Sequence, residues 1–150
     1  MLLQLVLNKK NYQIFSIVWV LLIIAVSTIP YLPQPEIILE KGFSLRLDYF
    51  FHFGVYFILG FLVTIWQANQ SAKISPIKII FLIIAGILFG FLDEWHQMLI
   101  PGRRYNPIDF IYNALGFIAG LIFTYYYLLQ FLILKKQKLK SISRKLFRSL

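Results

Sequence analysis

Four long apolar runs divide the chain, and the polar residues between them are short and clustered. A helix needs about 20 mostly apolar residues to cross a bilayer. The runs from Ile14 to Ile29, Tyr49 to Trp66, Ile77 to about Met98 and about Ile108 to Leu134 meet or approach that length. They predict an all-α fold, an integral membrane four-helix bundle spanning residues 1–134, followed by a basic tail at 135–150. Pro30 ends the first run, and Pro101-Gly102 marks a turn after the third. The first run is read as a span rather than a cleaved leader, because Ile29-Pro30-Tyr31 is a poor cleavage context.

Composition agrees with this pattern. Hydrophobic residues make up 59% of the 150 positions and charged residues 14%, with a mean hydropathy of +0.73. Soluble domains carry about 25% charged residues, so lipid is the natural solvent for this chain. The absence of cysteine excludes disulfides, thiolate metal sites and a cysteine nucleophile.

The net charge of +9 would suit nucleic acid if it were spread over one face, but its distribution points to a membrane surface instead, and no nucleic-acid partner is expected. Seven of the fifteen basic residues lie in the last sixteen positions, directly after an apolar run. Such a juxtamembrane tail is drawn to anionic membrane lipids. Lys9 and Lys10 precede the first run, and Lys73 and Lys78 flank the connection between the second and third. With four crossings all of these fall on one side, so the positive-inside rule predicts a multi-pass membrane protein with both termini cytoplasmic. The six acidic residues (Glu36, Glu40, Asp48, Asp93, Glu94 and Asp109) all fall toward the opposite side. Hydration of outer loops accounts for Glu36 and Glu40. It accounts less well for acids at helix ends.

Those helix ends hold the candidate chemistry. Asp48, His52 and Tyr56 are spaced by four and share a helix face. His52 lies about 6 Å deeper than Asp48, where an ionisable group should face the bundle interior or water. Asp93, Glu94, His96 and Gln97 crown the third run, with Glu94 turned about 100° from Asp93. Two acids at a helix C-terminus oppose the helix dipole, and Arg103 and Arg104 follow in the next loop to offset them. Arginine binds carboxylate or phosphate bidentately, so one arginine is free to neutralise an acid while the other meets a ligand anion. Asp109 and Asn113 open the fourth run on one face; Asn106 and Asp109 are alternative caps, and Pro107 fits the first turn if Asn106 is the cap. Gly116 and Gly120, and Gly86 and Gly90, offer close-packing faces.

At these residues the sequence resembles the VanZ-like membrane protein family. That pattern has a Ser/Thr and Pro element, matched by Ser27-Thr28-Ile29-Pro30. An Asp-Lys-x-x-His stretch with a following aromatic is matched by Asp48 to His52 and Tyr56. Asp-Glu-x-x-Gln is matched by Asp93 to Gln97, Pro-Gly-Arg by Pro101 to Arg103, and the last helix start by Asp109, Asn113 and Gly116. The order and spacing agree over about residues 27–120. One departure is Tyr49 in the place of the family lysine, with Arg46 three residues earlier. The resemblance implies a bacterial envelope protein linked to resistance to glycopeptide antibiotics of the teicoplanin type.

Three functions compete at this stage. The first is binding of an anionic lipid-linked or cell-envelope ligand through Asp48, Gln97, Arg103, Arg104 and Asn113. The second is a membrane-embedded hydrolase or transferase acting on a lipid-linked phosphate. His52 or His96 would then be its acid or base, with Asp93, Glu94 and Asp109 beside it. No cofactor is required, although Asp93, Glu94 and Asp109 offer oxygen ligands suited to a divalent cation. The third is a small transporter, for which four short helices make a narrow conduit short of a homo-oligomer.

Overall fold

The computed structural model describes residues 9–31, 36–38, 44–68 and 74–148. Lys41, Lys73 and Glu40, which the charge pattern assigns to connections, lie outside the described residues. Four helices carry the architecture: α1 (Lys9–Ser27), α2 (Asp48–Gln67), α3 (Pro76–Gln97) and α4 (Pro107–Arg148). All four are long and apolar enough to cross a membrane. Between α1 and α2 stand two short strands that the hydrophobic pattern did not predict, β1 (Glu36–Ile38) and β2 (Ser44–Arg46). They pair antiparallel with Glu36 opposite Arg46, which sets Arg46 directly before α2.

The bundle is apolar outside and partly polar inside. Phe15, Leu21, Phe51, Phe81, Ile84 and Ile122 are exposed, while Ser16, Thr64, Glu94, Asn113 and Thr124 are buried. That arrangement suits lipid as the surrounding solvent, where apolar side chains need no cover and polar ones turn inward. The chain is a multi-pass membrane protein on this basis. An apolar cluster of Ile23, Tyr56, Leu59, Phe117 and Leu121 ties three of the helices together.

Helices α2 and α4 run parallel and make the closest pair. A Cβ on Gly116 would strike the carbonyl oxygen of Phe53, and one on Gly120 that of Phe57. In the other direction, a Cβ on Gly60 would strike the carbonyl oxygen of Phe117. Without an apolar driving force between helices, such backbone contact is what lipid leaves for tight packing. The expected approach at Gly116 and Gly120 is therefore present, and Gly60 is its counterpart on α2.

Local chemistry sets the helix ends. The Asn106 side chain accepts from the Ile108 amide at 3.0 Å, so Asn106 is the cap and Pro107 occupies the first turn. Helix α1 stops at Ser27, two residues short of the apolar run, because the residue before Pro30 is disfavoured in helical backbone. At its other end the described part of α1 already includes Lys9 and Lys10, ahead of the apolar run. Helix α4 continues past Leu134 to Arg148 without a break. Its basic segment is rich in lysine and arginine, both good helix formers. The Tyr31 amide donates to the Pro101 carbonyl at 3.2 Å, with Tyr31 in left-handed backbone (φ 53). This contact fastens the end of α1 to the α3–α4 loop, where Gly102 leaves room for the Tyr31 ring.

Candidate functional site

The polar residues picked from the sequence converge at the end of the bundle that carries the strand pair and the α3–α4 loop. Asp93 and Glu94 diverge as the 100° step requires. Asp93 accepts a hydrogen bond from the Tyr56 hydroxyl at 3.0 Å, and the Ser27 side chain of α1 faces the same carboxylate. Glu94 is completely buried and turns toward α2 and α4. Its Oε1 accepts from Asn113 Nδ2 and from Gln97 Nε2, both at 3.2 Å.

His52 sits at the centre. Its Nδ1 meets Asn113 Oδ1 at 2.9 Å and lies 3.5 Å from Glu94 Oε1. Its Nε2 lies 3.8 Å from Asp109 Oδ2. His52, Glu94 and Asp109 each offer a ligand atom, and these atoms lie within 4.8 Å of one another. The expected cation set of Asp93, Glu94 and Asp109 is thus regrouped, with His52 in the place of Asp93.

Arg46 supplies a cation beside the acids that open α2 and α4. Its guanidinium pairs with Asp48 and lies 3.8 Å from Asp109 Oδ2. Burial works against its charge, but Asp48 and Asp109 outweigh that and hold its pKa above the ordinary value. The same guanidinium stands 5.1 Å from the centre of the Tyr49 ring, which stacks on Tyr112. Tyr49 thus serves as a platform for the Arg46 cation. Arg46 was visible in the sequence only as a neighbouring charge. The strand pair that aims it leaves no trace in helical periodicity.

The two loop arginines part company. Arg103 donates from Nε and from a terminal nitrogen to Gln97 Oε1. Arg104 is exposed and makes no ion pair among the described residues. His96 is half-buried on the rim and stays outside the hydrogen-bonded cluster. Trp19 was read as part of an apolar run; its indole N–H donates to the Val55 carbonyl at 2.9 Å, joining α1 to α2.

A cavity of about 640 Å³ opens beside the cluster. One part of its wall is apolar: Trp19, Leu22, Ile23, Val26, Phe51 and Val55. The other part is polar: Ser27, Asp48, His52, Tyr56, Asp93, Gln97 and Arg103. Arg103 is the one of the two loop arginines that lines it. Glu94, Asp109 and Asn113 stand behind His52 and do not line the cavity. Comparison with known protein families, curated proteins and solved structures finds no match.

Proposed function

We propose that this chain binds an amphiphile with an anionic headgroup, its apolar part along α1 and α2 and its headgroup at Arg103. The observation that carries this reading is the two-sided wall of the cavity: six apolar side chains from α1 and α2 on one part, and a polar part holding Arg103 and His52. Ligand pockets are largely apolar with a few placed polar groups, and arginine is the residue suited to a phosphate or carboxylate. The ligand is a membrane lipid or a lipid-linked envelope precursor. By the positive-inside rule the site faces outward in a bacterial cytoplasmic membrane, with the chain termini inside. The resemblance to VanZ-like proteins adds an expected phenotype, altered sensitivity to teicoplanin-type antibiotics.

The test is to extract the protein with native lipid and identify what co-purifies by mass spectrometry. The wild-type chain should retain a phosphate- or carboxylate-bearing lipid, and Arg103→Ala should lose it. An unchanged lipid profile in Arg103→Ala, together with unchanged antibiotic sensitivity, would defeat the proposal.

A second reading, a hydrolase or transferase on a lipid-linked phosphate, draws support from His52. The ring lines the cavity and has carboxylate oxygens at 3.5 and 3.8 Å. Turnover of the co-purified lipid by wild type and not by His52→Ala would favour it over binding alone. A transporter draws no such support. The buried hydroxyls of Ser16, Thr64 and Thr124 bond to their own helices rather than extending a polar path.

A further inference from the structure

Hydrogen bonding in the cluster places a hydrogen on Nδ1 of its histidine. Glu94 Oε1 can only accept when ionised, so the Asn113 group 3.2 Å away is its amide nitrogen. Asn113 Oδ1 is then the atom 2.9 Å from His52 Nδ1. An amide oxygen cannot donate, so Nδ1 carries the hydrogen. In the neutral ring the lone pair is then at Nε2, toward Asp109 Oδ2 at 3.8 Å. A lone pair facing a buried carboxylate calls for something positive between them.

Two further observations point the same way. Glu94 is 0% exposed and Asp109 3%, yet each has an oxygen with no hydrogen-bond partner among the described residues, Oε2 and Oδ1 respectively. A buried polar atom left unpaired is costly. The charge is also unbalanced. Among the described residues, Asp48, Asp93, Glu94 and Asp109 are accompanied by Arg46 and Arg103, which leaves a formal charge of −2 when the four acids are ionised and the histidines neutral.

We infer that His52, Glu94 and Asp109 bind a divalent transition-series cation such as Zn²⁺ or Mn²⁺, with Asn113 orienting the imidazole from behind. Zinc takes imidazole nitrogen and carboxylate oxygen at about 2.0–2.2 Å, which sets tetrahedral ligand atoms about 3.3–3.6 Å apart. The 3.8 Å between His52 Nε2 and Asp109 Oδ2 is close to that spacing, and the ligand atoms of all three residues lie within 4.8 Å of one another, so side-chain movements of about 1 Å complete the site. One nitrogen with two carboxylates favours zinc or manganese over the all-oxygen preference of magnesium and calcium. Three protein ligands leave an open position for water or an oxygen of a ligand. The hydrogen bond from Nδ1 to Asn113 is the outer support that metal-bound histidines use to hold their orientation.

The test uses the full chain without a polyhistidine tag, stripped with chelator and then dialysed against Zn²⁺ or Mn²⁺ alone. Elemental analysis should find about one equivalent per chain, and the melting temperature should rise on loading. Glu94→Gln and Asp109→Asn should lose at least about tenfold in metal affinity, while Asp93→Asn, a buried acid outside the set, keeps it. The first two variants are isosteric and remove like charge, so their metal-free forms should melt no lower than metal-free wild type. Co²⁺ in the wild-type chain should give the intense visible bands of a low-coordinate site, a readout independent of any variant's folding. No retained metal and no melting shift in wild type would overturn the assignment, as would equal loss of metal in Asp93→Asn. The measurement needs no lipid, so its outcome is separate from that of the amphiphile proposal.

Discussion

Two groups of buried polar side chains share this bundle and are treated in opposite ways. Toward one end, Ser16, Thr64 and Thr124 each donate to the carbonyl four residues earlier, at 2.7, 2.6 and 2.7 Å. Each is satisfied within its own helix and asks nothing of its neighbours. Toward the other end, His52, Glu94, Asn113, Tyr56 and Asp93 bond across helices. There Arg46 Nε, Asp48 Oδ1, Glu94 Oε2 and Asp109 Oδ1 are buried with no hydrogen-bond partner among the described residues. Structural polarity in lipid closes on itself, because an open group is expensive. Polarity that crosses helices and remains incomplete marks the place where the fold gives up stability for a site.

The largest test of this contrast is Asn113→Leu. It removes both bonds that Asn113 makes, which leaves His52 Nδ1 without that partner and buried Glu94 Oε1 with Gln97 alone as its hydrogen-bond donor. A loss of about 2–3 kcal/mol is expected, measured by denaturant-dependent unfolding in micelles. A loss below that of the hydroxyl variants at the other end would erase the distinction between the two groups. Arg46→Gln comes next, at about 2 kcal/mol, because it leaves Asp48 and Asp109 partly buried with less compensation. The same assay checks it, and Arg46→Lys should recover only part of the loss, since lysine lacks the planar fork and the ring stacking.

How much of this contrast the chain announces depends on what carries it. The four spans follow from apolar run length, and the Asn106 cap and the Gly116 and Gly120 contacts follow from residue type at fixed spacing. Asp48, His52, Asp93, Glu94, Asp109 and Asn113 are legible as a group because each sits at the helix end that faces the same side of the bundle. Their pairing is not legible, since it depends on helix rotation and on a loop. Arg103 turns to Gln97 instead of an acid, and Arg104 faces outward. Arg46 is aimed by a strand pair of three residues a side, too short to give a periodic signal. The extension of α4 is hidden for another reason: a basic run reports where water begins, not where a helix stops.

Tyr56→Phe probes the middle of the scale. It removes one cross-helix hydrogen bond while keeping the ring against Phe89 and Gly90. Interhelical hydrogen bonds in membranes average about 0.6 kcal/mol and reach about 1.7. Because the acceptor is a carboxylate, a loss of about 1 kcal/mol is expected, read from the same unfolding curves. The cavity should widen at Asp93, so Tyr56→Phe also offers a way to alter ligand retention without touching Arg103.

Thr124→Val carries the smallest effect and decides the most about the comparison. Its hydroxyl is completely buried, as is the Asn113 amide, so burial alone predicts similar costs for the two. Partnering predicts otherwise. The Thr124 hydroxyl bonds only to the Gly120 carbonyl on its own helix, and such back-bonding contributes little to a helix and often bends it. Valine fills the same space and leaves the Gly120 carbonyl its backbone partner. The expected change is within about 0.5 kcal/mol, against the loss several times larger for Asn113→Leu. If Thr124→Val destabilised the chain as much as Asn113→Leu, depth in the bundle rather than cross-helix bonding would set the cost. The unpaired oxygens of Glu94 and Asp109 would then lose their standing as the mark of a site.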